Sequence, residues 1–367
     1  MIEKIMYRLL LVGLIILCAD INISIAQTVD LTSVDEFFKV SSTLREGKEI
    51  SVEQWSDFDN SSGYKRFAES NNKFLINTIK SSVIIVFGEE KNSEMDSILN
   101  ITKEEMFENK TLMLKKLILT NYIDVSNNYD SIKSFRENYD FIALVEKAKQ
   151  RLSSFLGRPI DATTEFNPVY FYIISADGSN KQDAIYVDFN LIFKIKEEQR
   201  IDFLAHEFFH NYREKYENHE FNYKCDLNYG IDMIQNEGIA DLIDKTDGYE
   251  KYYSYVIELP EMVEAMVDLY NQAEEDLEKL HDLIMKFSNN KISEKETVDE
   301  WIEIVKFNGH PIGFFMANQI VGAGYKNEML KTFYNPYEFY SLYNKAAKEN
   351  NLFQLSDEFM VYLKGLI

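Results

Sequence analysis

Apolar positions along this chain recur at helical spacing almost throughout, with one interruption near the middle. From residue 28 to about 159 they fall three and four apart between polar breaks, which predicts a helical region. Residues 103–122 place Met106, Leu112, Leu114, Leu117 and Leu119 for a helix with a buried face. A further helix is predicted over about 137–156, stopping before Gly157-Arg158-Pro159. Between 168 and 194 the period changes. Val169-Tyr170-Phe171-Tyr172-Ile173-Ile174 and Ala184-Ile185-Tyr186-Val187-Asp188-Phe189 are β-branched and aromatic, with the turn-forming Ala176-Asp177-Gly178-Ser179-Asn180 between them. That order predicts an antiparallel pair of strands. Helical spacing returns over about 197–217, 227–245, 260–287 and 298–306 and continues to the C-terminus. The pattern is that of a predominantly helical α+β protein. A helical region covers 27–160, and a core over 161–335 holds the antiparallel strand pair just before the 197–217 helix. C-terminal helices over 336–367 close on that core.

The first 26 residues stand apart. Lys4 and Arg8 precede an apolar run over 9–18, and Ser24-Ile25-Ala26 offers small residues at the two positions that set cleavage. This reads as an export signal, so the mature protein is expected to begin at Gln27 and to work in the periplasm or as a secreted protein. Lipid anchoring through Cys18 is the competing reading, disfavoured because Leu17 before it is not small. The apolar run is short for a membrane span, and no later segment approaches the ~20 apolar residues a transmembrane helix needs. With Cys18 removed, Cys225 is the one cysteine left, so an intramolecular disulfide is excluded. Cys225 itself reads as an inert buried thiol.

Composition adds two constraints. Hydrophobic residues make up 46 % and aromatics 14 %, enough for a packed core and too much for global disorder. The net charge of -22 survives loss of the leader, whose Glu3, Lys4, Arg8 and Asp20 cancel. A polyanion of this size is repelled by phosphate backbones, which argues against nucleic acid as a partner and otherwise serves solubility.

The densest chemistry lies in His206-Glu207-Phe208-Phe209-His210. On a helix, positions i and i+4 share a face, so His206 and His210 can hold one metal ion, with Glu207 placed to take a proton from a metal-bound water. With five histidines in the chain, chance produces this pattern in on the order of one chain in a hundred. A catalytic zinc takes three protein ligands and keeps one open position. Glu237, in Asn236-Glu237-Gly238-Ile239-Ala240-Asp241, is the candidate third ligand on the next helix. Asp241, one turn on, can accept a hydrogen bond from a ligating imidazole. Gly238 costs about 1 kcal/mol in mid-helix, which a close approach between the two helices would explain. Pro311 fits the first position of a helix, which makes His310 its cap. Tyr229 and Tyr325 are weaker candidates for stabilising an oxyanion, and His219 and His281 read as solvated surface residues. The two strands are either structural, or one forms an edge that takes an extended peptide by main-chain pairing.

His-Glu-x-x-His followed by a helical Asn-Glu-x-x-x-Asp resembles the gluzincin, thermolysin-like metallopeptidases. The resemblance implies His206, His210 and Glu237 as ligands of one catalytic Zn2+, Glu207 as general base and Asp241 behind the ligands. It also implies a small sheet packed on the motif helix, a peptide or protein substrate, and His310 as donor to the tetrahedral oxyanion. Ala205–His210, Glu237–Asp241 and His310-Pro311-Ile312-Gly313-Phe314-Phe315-Met316-Ala317 are more closely similar to an uncharacterised bacterial family of zinc-dependent peptidases, over roughly 165–330. No segment matches the Gly-x-Met-x-Asn of zinc aminopeptidases, which favours cleavage within chains. The functional expectation is an exported zinc peptidase. The alternative is an inactive zinc-holding scaffold that acts as an extracytoplasmic binding protein.

Overall fold

Four short strands form one mixed sheet in the order β1-β2-β4-β3, enclosed by helices. The structure, a computed structural model, describes residues 29–366 apart from 71–72, 89–92, 162–163, 182 and 217–225. The expected leader with Cys18, together with His219 and Cys225, lies outside the described residues. The strands are β1 (Val29–Asp30), β2 (Val169–Tyr172), β3 (Gly178–Lys181) and β4 (Ala184–Asp188). β1 and β4 both run parallel to β2, and β3 alone is antiparallel, paired to β4. The two strand candidates of the sequence are therefore neighbours, but parallel ones. Every residue of β2 and β4 is buried, as in sheets covered by helices on both faces. The Asp177-Gly178 turn leads into β3, which occupies the sheet edge half-exposed, and Lys181 pairs with Ala184 to close the hairpin into β4.

The helices follow the apolar period but break where a side chain can cap a new start. The stretch expected as one helix over 103–122 is two, Lys103–Glu108 and Lys110–Asn127. Asn109 divides them, its side chain accepting the N–H groups of Thr111 and Leu112 at 3.1 and 3.2 Å. The 260–287 helix also divides, at Gln272, into Pro260–Asn271 and Ala273–Ser288, there without a side-chain cap. The 298–306 helix starts earlier, at Glu294, because Ser293 and Glu296 form a capping box.

One continuous core runs from Val34 to Leu366, so the N-terminal helices share it with the sheet. Tyr64 and Tyr122 both donate to the Ile173 carbonyl at the end of β2, at 2.9 and 3.0 Å. Asp188, ending β4, accepts from Leu191 N at the start of the helix Phe189–Lys194, from Ile174 N and from the Asn121 amide. His281, expected in solvent, is instead packed against Phe353 and Phe359, with Nε2 3.0 Å from Ser356 Oγ. Among the described residues no helix is long and apolar enough to cross a membrane.

Candidate metal centre

Three helices meet beneath the β3 edge. The motif helix Glu197–Glu214 carries His206, Glu207 and His210, all buried, while the return helix Asp226–Asp244 carries Glu237. The crossing helix His310–Gly322 begins with His310 itself. Gly309, at φ 85, takes the cap position, so His310 is not the cap and sits inside the first turn, where it is carried rigidly.

The crossing and return helices touch through glycine. A Cβ on Gly238 would lie 2.2 Å from Gly313 O, and one on Gly313 would lie 2.2 Å from Ile234 O. Gly238 thus marks a close approach, but to the crossing helix and not to the motif helix. On the other side, a Cβ on Gly178 would lie 2.9 Å from Glu207 Oε1 and 2.6 Å from the Phe203 ring, so the start of β3 rests on the motif helix. Asn180 extends the contact by donating to Glu214 at 2.7 Å.

Nε2 of His206, His210 and His310 lie 3.7, 3.3 and 3.3 Å from one atom, Glu237 Oε2. His206, His210 and Glu237 each offer a donor atom within 4.8 Å of the other two, and His310 falls outside that group. Behind each imidazole stands an acceptor from the return helix. His210 Nδ1 is 3.0 Å from Asn236 Oδ1, His206 Nδ1 is 3.3 Å from Asp244 Oδ1, and His310 Nδ1 is 2.9 Å from Asp241 Oδ1. Asp241 was expected to hold a ligating imidazole, yet it lies 3.7 Å from His206 Nδ1 and bonds His310 instead. Asp244 takes the place beside His206. The buried Lys245 links the two carboxylates, 2.6 Å from Asp241 Oδ1 and 3.2 Å from Asp244 Oδ1, with Nζ 4.1 Å from the centre of the Tyr252 ring. Sequence reasoning gave no role to Asn236, Asp244 or Lys245. The signal was present, since 237, 241 and 244 follow the i, i+4, i+7 spacing of one helix face.

The electrostatics suit a cation. Burial opposes ionisation of Glu237, but His310 and His210 outweigh it and hold the carboxyl well below its usual range. Burial also opposes protonation of His206 and His310, but Asp244 beside the first and Asp241 and Glu237 beside the second outweigh it, so both rings bind protons more tightly than a free imidazole. Groups that draw protons onto imidazoles equally favour a metal cation in their place. Burial pushes Glu207 above the usual carboxylate range. Three buried carboxylate oxygens of the cluster, Glu207 Oε2, Glu237 Oε2 and Asp241 Oδ2, have no hydrogen-bond partner, and His206 Nδ1 pairs with Asp244 Oδ1 by charge at 3.3 Å without hydrogen-bond geometry. Ligands at about 2.0–2.2 Å from a tetrahedral zinc lie roughly 3.3–3.6 Å apart, close to the separations of 3.3 and 3.7 Å at Glu237 Oε2. Two imidazoles and a carboxylate are also a donor set that zinc accepts.

The centre forms part of the lining of a cavity of about 960 Å3, shared with β3, the helix Lys110–Asn127 and Tyr229. Tyr325 is not among the lining residues, and its hydroxyl donates to Glu349. Fold and site together define a helical α+β protein with a candidate metal centre in a cleft of ligand size. The chain belongs to the family described as "Putative zinc dependent peptidase (DUF5700)", whose sequence profile matches residues 55–352. The match reaches back through most of the N-terminal helical region. Neither a curated protein nor a solved structure matches the chain. The family description supplies zinc as the metal and peptides as the substrate class.

Proposed function

We propose that the chain is an exported zinc peptidase of the thermolysin-like, gluzincin type that hydrolyses bonds within peptide chains. The observation that carries this reading is the convergence of imidazoles on Glu237 Oε2, a buried oxygen without a hydrogen-bond donor. His206, His210 and Glu237 would hold one zinc ion, which when bound lowers the pKa of water to about 7 and polarises a carbonyl. Glu207, buried beside them, accepts the proton of the attacking water and delivers it to the leaving amine. His310 donates from Nε2 to the developing oxyanion. Its Nδ1–H goes to Asp241, and the surrounding carboxylates keep the second proton on the ring. An extended substrate pairs with the outer edge of β3, which lays it across Glu207 because Gly178 has no side chain to interpose. Export rests on the leader pattern of residues 1–26.

The test is Glu207→Gln in the zinc-loaded protein. Stoichiometric zinc should remain while hydrolysis of a mixed peptide library falls by about 10²–10⁴. Undiminished hydrolysis would sink the mechanism, and wild-type protein that binds zinc but cleaves nothing would establish the binding scaffold instead. Sequencing the N-terminus of protein recovered outside the cytoplasm should begin at Gln27.

A further inference from the structure

Directly after the return helix stands a cation that no catalytic step above uses. Lys245 follows Asp241 by one helical turn, so its side chain folds back over the end of the helix, where the dipole favours positive charge. Its ammonium lies between two carboxylates, 2.6 Å from Asp241 Oδ1 and 3.2 Å from Asp244 Oδ1. None of the three side chains is more than 2 % exposed. Burial opposes the charge on Lys245, but Asp241 and Asp244 outweigh it and hold the proton more tightly than on an ordinary lysine. The face of the Tyr252 ring, centred 4.1 Å from Nζ, adds a further contact.

The same carboxylates belong to a second group of donors. His206, Asp241 and Asp244 each offer an atom within 4.8 Å of the other two, just as His206, His210 and Glu237 do. His206 faces both groups, with Nε2 towards Glu237 at 3.7 Å and Nδ1 towards Asp244 at 3.3 Å. Asp241 Oδ2, fully buried, has no hydrogen-bond partner among the described residues, so the lysine leaves one oxygen of the pair unused. Asp244 and Lys245 line the cavity, which gives ions in solution a way in. Imidazole and carboxylate are both donors that zinc accepts. The ammonium thus lies between the two oxygens that a second divalent ion would take.

We propose that Lys245 is a built-in cation that occupies this second position and limits the centre to one metal ion. Two consequences follow for the imidazoles. The charge is fixed on the chain, so the carboxylates beside His206 and His310 are partly neutralised at every concentration of free metal. An ion in the same place would also compete for Nδ1 of His206, whose proton a ring ligating through Nε2 keeps for the carboxylate behind it. Lys245 touches neither substrate nor zinc in this scheme. It is a positioning residue that acts through Asp241 and Asp244. The proposal rests on zinc binding by the candidate centre, whatever the centre hydrolyses.

The test is metal analysis of the full-length protein, equilibrated with excess zinc and freed of unbound metal by gel filtration. Lys245→Ala should hold one zinc more per chain than wild type. Lys245→Arg, which keeps the charge, should hold the wild-type amount, and so should Lys245→Ala combined with Asp244→Asn. Equal zinc in Lys245→Ala and wild type, or an extra ion that persists with Asp244→Asn, would overturn the proposal. Lys245→Ala also strands two buried carboxylates, so melting of the metal-free proteins supplies a second measurement. Asp244→Asn restores the wild-type charge balance, and the double variant should melt well above Lys245→Ala. A double variant no more stable than Lys245→Ala, or one that fails to fold alongside it, would leave Lys245 a packing residue and refute the proposal. Wild-type protein that binds no zinc would overturn the metal centre and the peptidase reading with it. Zinc in wild type with no gain in Lys245→Ala would overturn the present proposal alone.

Discussion

Replacing Gly313 by alanine tests the helix crossing that joins Glu237 to His310. The added Cβ would stand 2.2 Å from Ile234 O, 2.8 Å from Gly238 N and 2.9 Å from Gly238 Cα. Ordinary contact begins near 3.4 Å, so the helices must part by about 1.2 Å (3.4 minus 2.2), and every neighbour in the way is backbone that cannot rotate aside. Two effects oppose each other. Alanine improves helix propensity by about 1 kcal/mol, while overpacking a fixed contact costs about 1–3 kcal/mol or more. With backbone on both sides the steric term should prevail, for a net loss near 2 kcal/mol. A shift of about 1 Å between Glu237 and His310 should also lower turnover about 10²-fold while zinc is retained. Urea unfolding of the zinc-loaded protein, zinc analysis and peptide hydrolysis read the three effects. Gly322→Ala is the control, because a Cβ there meets nothing within 4 Å. If Gly313→Ala proves as stable as Gly322→Ala, the close crossing is wrong.

Two further substitutions and one titration probe the surroundings. Asp244→Ala removes the carboxylate beside His206 and should weaken zinc affinity about 10–100-fold, measured by competition with a chromophoric chelator; wild-type affinity would remove Asp244 from the centre. Asp241→Ala acts on His310, so it should lower kcat more than zinc affinity, and equal effects on both would contradict the division of roles. Asp188 is pushed up from 3.8 to about 6 by burial, which its backbone and Asn121 hydrogen bonds only partly offset. The folded state therefore favours the protonated form. Its contribution is fully present below about pH 4 and is lost as pH rises through about 6, a change of about 3 kcal/mol against the usual carboxylate trend. The Asp188 carboxyl carbon resonance, assigned against Asp188→Asn, should titrate near 6, and a midpoint below 4 would refute the burial argument.

What the sequence disclosed follows from how far each interaction reaches along the chain. The His206–His210 and Glu237–Asp241 spacings translate directly into helix faces, so the residues that the structure brings together were legible as neighbours on two helices. The predominantly helical α+β class was legible for the same reason, because periodicity is local. The parallel pairing of β2 with β4 was not, since β3 intervenes in sequence and only burial on both faces reveals the arrangement. Gly238 announced a close approach without naming Gly313, which lies on a helix more than 70 positions away. Asp241 was read as the support of a ligand because nothing in one sequence showed that His310 would reach it first. The breaks at Asn109 and Gln272 passed unnoticed because the apolar period continues across both.

The return helix supplies the acceptor behind every imidazole as well as the carboxylate among them. Asn236, Glu237, Asp241 and Asp244 lie within about 12 Å of helix rise, so their mutual spacing is set by backbone geometry and not by distant packing. Other stretches of the cavity lining come from elsewhere, among them β3, the helix Lys110–Asn127 and the Phe307 turn. The candidate metal donors and these stretches of lining thus stand on separate pieces of chain. Substitutions in that lining would alter what fits the cavity while the ruler that sets the spacing of the carboxylates stays untouched.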